Sequence, residues 1–389
     1  MKKIRYCKKC LFPETKPGLE FNEDQICTAC QNYDDRSHID WDERKKELMN
    51  ILEKYKNKKE NNWDCIIPVS GGKDSIYQVV KMLEFGMNPL CVNVAPCGPT
   101  DIGRKNMDLI KELGVDVLEF TTNRKLRKKL NKIGLIEVGD ITWAEHAAVF
   151  TVPITVAVNY NIPLIIWGEN SQNEYGGPVA DSQKNVLTRE WLLKWGGLLG
   201  LDSQILIEKY DVKKSELIPF EYPSDDELNR VGVTGIFLGY YIPWNSFSNF
   251  LISQAYGMEG YKYACEGSFL NSENLDTYYH GIHDYFKFLK LGFGRVTDQV
   301  NMAIRRGMLT REEGLKIVKL REGKFPISYL GKPLKEMLEE IDVTMEEFIE
   351  VCDKFTNKQL FLCDENGNLV KDKYGNLSKI NYDNVEDNI

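Results

Sequence analysis

Long hydrophobic segments are missing from this sequence of 389 residues. No uninterrupted apolar run approaches the roughly 20 residues that a helix needs to cross a bilayer. The stretch from Met1 to Cys7 carries three basic residues and no apolar segment of the kind found in signal peptides. Membrane insertion and export are therefore not expected, and the sequence predicts a cytoplasmic protein.

An excess of basic residues is also missing. The chain has 50 lysines and arginines against 58 aspartates and glutamates, which gives a net charge of −8. Proteins that bind nucleic acid through its phosphates usually present a basic surface. A nucleic-acid partner is therefore not expected, and a small-molecule substrate is favoured.

Cysteine, by contrast, is present ten times, and without an export signal this indicates thiols or metal ligands rather than disulfides. Cys7 with Cys10 and Cys27 with Cys30 form two Cys-x-x-Cys pairs separated by sixteen residues. This spacing is typical of a four-thiolate Zn²⁺ site, and four cysteine ligands favour a closed structural site. The spacing predicts a zinc-ribbon-like module at 1–35, although an iron–sulfur cluster or a nucleic-acid-binding ribbon would have compatible spacing.

The segment Ser70-Gly-Gly-Lys-Asp-Ser75 lies between an apolar, strand-like run and a helix-like run. Glycines let backbone amides approach a phosphate, and the N-terminus of a helix favours negative charge. The longer Gly-x-x-x-x-Gly-Lys-Ser/Thr spacing of the Walker motif is missing. The segment is instead similar to the loop of ATP pyrophosphatases, which split ATP into AMP and pyrophosphate.

Every position of this loop is a candidate for nucleotide binding. The candidate ATP ligands are Ser70, Gly71, Gly72, Lys73, Asp74 and Ser75. Lys73 supplies a cation for the phosphates. Asp74 is interpreted either as a ligand of Mg²⁺ through its waters or as a cap of the following helix.

Strand-like and helix-like segments alternate after residue 62. Strands are predicted at 65–69, 89–94, 115–121 and 163–167, and helices at 75–84, 103–113 and 143–160. This pattern predicts an α/β fold with a parallel sheet covered by helices on both faces. Ligands bind at the carboxyl ends of parallel strands, so Asn93 and Gly168 are expected to join Ser70 around one nucleotide.

Composition divides the chain into five predicted regions. The cysteine module at 1–35 is followed by a charged linking helix at 36–62 and an ATP pyrophosphatase α/β domain at 63–222. A mainly helical region for substrate and pyrophosphate is predicted at 223–355. The last region, 356–389, is a small appendage with two hairpin-like turns.

Several motifs together resemble the N-acetyl sugar amidotransferases over nearly the whole chain. Besides the cysteine pairs and the 70–75 loop, these are Trp143-Ala-Glu-His146, Gly292-Phe-Gly-Arg-Val-Thr-Asp298 and Ile304-Arg-Arg-Gly-Met-Leu-Thr-Arg-Glu-Glu313. The resemblance implies an enzyme of lipopolysaccharide or nonulosonic acid biosynthesis. Such an enzyme converts the acetamido group of an activated sugar into an acetamidino group, using ATP and ammonia.

The sequence carries no familiar source of that ammonia. Lys2 stands where a glutaminase of the N-terminal nucleophile type has cysteine, and none of the ten cysteines lies in a Gly-x-Cys-x-Gly setting. The resemblance therefore implies a separate glutaminase subunit, with a cyclase-like barrel protein to channel the ammonia. The sugar substrate is expected to be activated by a nucleotide.

Further candidates for the chemistry lie outside the loop. Glu145 and His146, near the ligand edge of the predicted sheet, are candidates for a base or for a group that orients the amide. Lys290 and Arg295 flank the glycine-rich 291–294 segment and are candidate phosphate ligands. Asp298 is expected either to orient Arg295 or to join Mg²⁺.

Other charged and aromatic residues have two interpretations each. Arg305 and Arg306 are either further cations of the site or a solvated basic face. The aromatic stretch 240–247 suits stacking on a sugar or base, or a domain interface. His280 and His283 have helical spacing, but no third ligand is evident, so a second zinc site is not expected.

Two other functions remain open at this stage. An RNA thiolation enzyme would use a similar loop, and Cys97 would be its candidate reactive thiol. A zinc-ribbon interaction protein with an inactive nucleotide domain is the other alternative. The negative net charge disfavours the first and the intact loop disfavours the second.

Overall fold

The computed structural model describes residues 4–56 and 62–380. The strands in chain order are β1 (Cys65–Val69), β2 (Pro89–Val94), β3 (Asp116–Phe120), β4 (Leu164–Trp167), β5 (Val186–Leu187), β6 (Thr234–Phe237), β7 (Ser328–Tyr329) and β8 (Lys332–Pro333). The first nine helices are α1 (Thr28–Asp35), α2 (Trp41–Tyr55), α3 (Lys73–Glu84), α4 (Asp101–Glu112), α5 (Arg124–Val138), α6 (Trp143–Tyr160), α7 (Ser171–Glu174), α8 (Val179–Ser182) and α9 (Arg189–Trp195). The remaining helices are α10 (Ser203–Tyr210), α11 (Asp225–Val231), α12 (Leu238–Tyr241), α13 (Ser246–Ala255), α14 (His280–Leu291), α15 (Arg295–Arg305), α16 (Arg311–Arg321), α17 (Leu334–Glu339) and α18 (Met345–Phe355).

Six strands form one sheet in the order β3-β2-β1-β4-β6-β5. All neighbouring pairs are parallel except β5 with β6. The order runs outward in both directions from the β1/β4 pair, so the carboxyl ends of these two strands form the switch point where doubly wound sheets bind ligands. The predicted α/β fold with a mostly parallel sheet is confirmed.

The central strands are apolar on both faces because helices cover both faces. Ile66 packs into one core, which includes α5 and α6. Its neighbour Ile67 packs into the other core, which includes α3 and many residues of the C-terminal helices. Successive side chains of a strand point to opposite faces, and this explains the uninterrupted apolar run. The helical C-terminal region is thereby joined to the face of the sheet that carries α3.

The N-terminal module packs against α15 and the turn before it. The rings of Phe12 and Phe293 meet edge to face with centroids 5.8 Å apart. The amide of Leu11 donates to Oδ1 of Asn301 at 2.7 Å. The N-terminal module that carries the four cysteines therefore packs against a helix of the C-terminal region.

The C-terminal end agrees with the two predicted hairpin-like turns. The amide of Asp364 donates to the carbonyl of Asn368, and the amide of Asp372 donates to that of Asn376. The boundaries of the five predicted regions stay predictions, and part of the 36–62 and 356–389 regions lies outside the described residues.

In the described ranges no single helix has both the length and the hydropathy needed to cross a membrane. The helices α5 and α6 satisfy the test of length and composition only as a pair, bent by 119° where they meet. The cytoplasmic location stays a prediction.

Candidate functional site

The 70–75 loop connects β1 to α3 at the switch point of the sheet. Gly71 has a φ of +80°, and a Cβ there would lie 3.0 Å from the amide nitrogen of Met107. Both the positive φ and the close approach therefore require glycine. The hydroxyl of Ser70 accepts from the Gly72 amide at 3.3 Å, and the hydroxyl of Ser75 donates to the Gly72 carbonyl at 3.0 Å. Short local hydrogen bonds thus fix the loop at the tip of β1.

Lys73 is the buried cation of this loop, with 7% of its surface exposed. Its ammonium lies 3.0 Å from Oδ2 of Asp74 and 2.7 Å from Oε1 of Glu273. Burial alone would lower the pKa of Lys73, but these two carboxylates outweigh it and raise the pKa above its usual value. Lys73 is therefore positively charged where a phosphate would arrive. Glu273 comes from the C-terminal region and was not predicted from the sequence.

The start of α3 is held by α13. The side-chain amide of Asn249 donates to Oδ1 of Asp74 at 2.8 Å, and the hydroxyl of Ser253 donates to the backbone carbonyl of Lys73 at 2.8 Å. The residue before the helix is Gly72, and Asp74 makes no capping hydrogen bond, since α3 begins at Lys73 rather than at the predicted Ser75. The capping interpretation of Asp74 is therefore wrong, and its carboxylate faces the site.

A second carboxylate, Glu169, lies near Asp74, two residues beyond the end of β4. Burial, followed by the negative charge of Asp74, raises the pKa of Glu169 to about 8. Burial and the nearby charge of Asp74, on α3, therefore disfavour ionisation of the Glu169 carboxyl. Such a pair of carboxylates suits Mg²⁺, because it supplies oxygen ligands and because a cation would offset the repulsion between two negative charges.

Asn93 and Gly168 lie at the carboxyl ends of the two strands beside β1, as predicted. The side-chain amide of Asn93 donates to the Val69 carbonyl at 2.8 Å. The backbone carbonyl of Gly168 accepts from the backbone amide of Gly239 at 3.0 Å. A Cβ at Gly168 would come within 3.3 Å of Trp244. Both residues shape the strand tips, and direct contact with a nucleotide stays a prediction.

Arg295 begins α15 and forms a two-pronged ion pair with Asp284. The two N···O distances are 3.1 and 3.3 Å. Burial would lower the pKa of Arg295, but Asp284 and then Asp298 raise it far above its usual value. Burial and then the charge of Glu169 raise the pKa of Tyr175, while the charges of Arg295 and Lys73 oppose this rise, so the ring belongs to the same charged neighbourhood. Asp298 itself pairs with the ammonium of Lys287.

Lys290 has different surroundings. Its ammonium donates to the Val138 carbonyl at 2.6 Å and lies 5.3 Å from the centre of the Phe355 ring. Burial lowers the pKa of Lys290. Its described partners therefore lie at the end of α5 and on α18, and a role as phosphate ligand stays a prediction.

Glu145 forms part of an ion pair at the tip of β2. Its Oε1 lies 3.0 Å from Nη2 of Arg127 and accepts from the Cys97 amide at 3.0 Å. Burial and the charge of Glu145 raise the pKa of Cys97 to about 11, so this thiol is neutral at physiological pH. A neutral thiol is a poor nucleophile, and this disfavours the RNA thiolation alternative.

His146 points away from Glu145, towards Asp140. Its Nδ1 lies 3.1 Å from Oδ2 of Asp140, while Nδ1 of His283 lies 2.9 Å from Oδ1 of the same carboxylate. The fold therefore gives His283 neighbours that were not evident from the sequence, because it brings α14 beside the start of α6. His280 does not join this group, and instead pairs with Asp276 at 2.9 Å.

The four cysteines of the N-terminal module are completely buried. Sγ of Cys7 lies 3.9 Å from that of Cys30, and Sγ of Cys10 lies 3.7 Å from that of Cys27. A tetrahedral ion with Zn–S bonds of about 2.3 Å separates its sulfurs by about 3.8 Å. The donor set and its dimensions therefore fit Zn²⁺.

Arg305 and Arg306 link this module to the site. The Arg305 guanidinium donates to the Glu174 carbonyl at 2.8 Å and lies over Phe12, and that of Arg306 lies 3.3 Å from Oε2 of Glu174. Arg305 has 6% of its surface exposed, and the side chain of Arg306 is exposed to the same extent. The interpretation as a solvated basic face is wrong, because α15 turns these arginines inward against the cysteine module.

A cavity of about 370 Å³ opens beside Glu169. Its walls include Trp41, Arg44 and Tyr240, and the guanidinium of Arg44 lies 3.6 Å from the centre of the Tyr240 ring. Polar groups of the 169–184 segment complete the wall. Of the predicted aromatic stretch 240–247, Tyr240 therefore faces a cavity at the ligand edge of the sheet.

The fold and the loop define a class: a doubly wound α/β protein with a nucleotide phosphate loop, a four-cysteine module and a helical C-terminal region. In this chain, residues 246–373 match the family described as "LPS biosynthesis protein WbpG-like, C-terminal domain". The C-terminal third of the chain is thus similar to the WbpG-like C-terminal domain. This match confirms the resemblance drawn from the sequence and relates the chain to lipopolysaccharide biosynthesis.

Solved structures give weaker likenesses. NMN synthetase from Francisella tularensis is 14% identical, with 50% of this chain and 93% of that chain covered and a TM-score of 0.28. NH3-dependent NAD synthetase from Campylobacter jejuni, solved with nitrate, is 12% identical, with 57% and 98% covered and a TM-score of 0.28. No curated protein matches this chain significantly. The fold assignment therefore rests on this chain's own strand order.

Replacing one of the four cysteines should prevent the N-terminal module from binding Zn²⁺. We expect Cys27→Ser to lose about one zinc equivalent and a large part of the roughly 10 kcal/mol that structural zinc supplies to small modules. The measurements are zinc content and thermal unfolding, with the exposed Cys363→Ser as the matched control. Full zinc content and an unchanged melting temperature in Cys27→Ser would contradict the assignment.

Glu169 should make stability fall as the pH rises. Its pKa of about 8 exceeds the ordinary 4.5, so between these values the folded protein keeps a proton that the unfolded chain has lost. We expect Glu169→Gln to flatten this fall. Urea unfolding at pH 5, 7 and 8.5, without nucleotide or Mg²⁺, measures it, with exposed Glu112→Gln as control. Parallel pH profiles for wild type and Glu169→Gln would disprove the raised pKa.

Proposed function

We propose that this protein is an ATP-dependent amidotransferase that converts the acetamido group of an activated sugar into an acetamidino group. The observation that carries the proposal is the buried, charged Lys73 in a phosphate loop at the switch point of the sheet. It occurs in one chain with a domain of the WbpG-like lipopolysaccharide family. The first feature supports ATP chemistry, and the second supports a sugar substrate.

The chemistry needs ATP because an amide carbonyl is a poor electrophile whose oxygen does not leave. The amide oxygen attacks the α-phosphorus, so an O–P bond forms and pyrophosphate leaves; loss of the amide N–H proton to a base then gives a neutral O-adenylyl imidate. Ammonia then adds to the imidate carbon, its nitrogen gives up a proton, and the C–O bond breaks to release AMP. The product is the amidine, and the protein's task is to orient these groups and stabilise the charges.

The residues of the loop suit the first step. The backbone amide of Gly71 and the ammonium of Lys73 would contact the leaving pyrophosphate, the amide of Gly72 would join them on leaving the Ser70 hydroxyl, and Arg295 adds a second buried cation. Asp74 and Glu169 would hold Mg²⁺, which would neutralise phosphate charge. The raised pKa of Glu169 beside Asp74 supports this assignment, because a cation relieves the repulsion between the two carboxylates.

The substrate has two places to bind near these groups. The cavity beside Glu169 offers the aromatic faces of Trp41 and Tyr240, which suit stacking on a base or sugar ring. A cavity of about 620 Å³ is lined by Arg295 and Asp284. Glu145 and His146 remain candidates for a proton acceptor or for a group that orients the amide.

Ammonia comes from a separate glutaminase subunit in this proposal, with a cyclase-like barrel protein as the channelling partner. The support is that none of the ten cysteines of this sequence lies in a Gly-x-Cys-x-Gly setting. A nucleotide-activated acetamido sugar is the proposed substrate. Free ammonia replaces the partner in a test with purified protein.

Replacing Lys73 should stop turnover. With ATP, Mg²⁺, ammonium and a panel of nucleotide-activated acetamido sugars, wild type should form AMP, pyrophosphate and an amidine product detected by mass spectrometry. We expect Lys73→Ala to lower turnover by at least about 10²-fold, as loss of one transition-state donor does. Lys81→Ala, on the same helix and paired with exposed Glu84, is the control.

Two outcomes would contradict these assignments. Turnover by a folded Lys73→Ala protein at the wild-type rate would remove the loop from the mechanism. Sulfur incorporation into RNA, without amidine formation from any sugar, would support the thiolation enzyme instead. Thermal unfolding of each variant separates loss of chemistry from loss of fold.

A further inference from the structure

One carboxylate and two imidazoles meet where the α/β sheet joins the C-terminal helices. Asp140 lies in the turn between α5 and α6, His146 near the start of α6, and His283 on α14. We propose that Asp140, His146 and His283 bind one divalent transition-metal ion, separate from the ion of the cysteine module. Residues from both the α/β sheet region and the WbpG-like domain thus build the site.

The distances suit a single ion. Each histidine presents Nδ1 to the carboxylate of Asp140, at 3.1 Å for His146 and 2.9 Å for His283. The ligand atoms of all three residues lie within 4.8 Å of one another. An ion with bonds of about 2.0–2.1 Å in tetrahedral geometry holds its ligands about 3.3 Å apart. A small outward shift of the side chains therefore makes room for an ion between them.

The donor set selects the kind of ion. Two imidazole nitrogens and one carboxylate oxygen suit Zn²⁺ and the other divalent first-row metals. Mg²⁺ and Ca²⁺ prefer sites built of oxygen alone. Three protein ligands leave a coordination position for water or a substrate oxygen, which is the pattern of catalytic zinc sites. The site thus differs from the closed four-thiolate module.

Thr142 also holds the carboxylate of Asp140, and its hydroxyl lies 3.0 Å from Nδ1 of His283 as well. The amide and the hydroxyl of Thr142 both donate to Oδ1 of Asp140, at 2.9 and 2.8 Å. Gly139 precedes it with a φ of +59°, and a Cβ there would lie 2.8 Å from the Phe355 ring. Metal-ligating carboxylates are commonly held by such hydrogen bonds. Asp140 is buried, whereas both histidine side chains are partly exposed, so an ion can enter from their side.

The chain offers a matched control on the same helix. His280 lies three residues before His283, and its Nε2 lies 2.9 Å from Oδ1 of Asp276. His280 is not a member of the ligand group. Replacing it removes an imidazole of similar burial without touching the proposed ligands.

Metal content tests the proposal. Full-length protein is produced in zinc-supplemented medium, freed of loose metal by repeated buffer exchange, and analysed by mass spectrometry for metal per chain. We expect about two equivalents in wild type and in His280→Ala, and about one in the double variant His146→Ala/His283→Ala. One equivalent in wild type, or an unchanged content in the double variant, would overturn the site.

A second measurement does not depend on the folding of any variant. X-ray absorption at the zinc edge of the wild-type protein should show nitrogen or oxygen neighbours at about 2.0–2.1 Å. A spectrum with sulfur neighbours alone would overturn the proposal. Because both readouts concern metal, their failure would leave the proposed amidotransferase reaction untouched.

Discussion

The ion pair between Lys73 and Glu273 joins the two halves of this protein. A buried ammonium is tolerated only when carboxylates compensate for its lost hydration. One of these, Asp74, is local, and the other comes from the C-terminal region 200 residues away. Formation of the phosphate loop therefore depends on the docking of the C-terminal helices. The hydrogen bonds from α13 to Asp74 and to the Lys73 carbonyl reinforce the same junction.

The cysteine module extends this dependence to α15. The module contacts α15 through Asn301 and Arg305, while Arg295, at the other end of the helix, enters the charged neighbourhood of Lys73 and Tyr175. A metal ion bound by the four cysteines would therefore help to fix the position of Arg295 through this packing.

Local patterns explain what could be predicted from the sequence. The bounds of β1 and β2, the four-cysteine group and the position of the loop follow from apolar runs and from spacing over a few residues. Glu273, Glu169 and the Asp140–His283 contact could not be predicted, because each depends on segments far apart in sequence. Arg305 and Arg306 were ambiguous for the same reason, since their burial is decided by the module that packs on α15.

The charges around Lys73 would also constrain how the proposed nucleotide binds. Its ammonium already has two carboxylate partners, so an arriving phosphate exchanges with an anion rather than with water. Glu273 lies in a segment without helix or strand between α13 and α14, whereas Asp74 is held by α3 and α13. Exchange with Glu273 therefore disturbs less structure than exchange with Asp74. A displaced Glu273 and an ionised Glu169 would both add negative charge near the phosphates, and this is the electrostatic reason why ATP should arrive with its divalent cation.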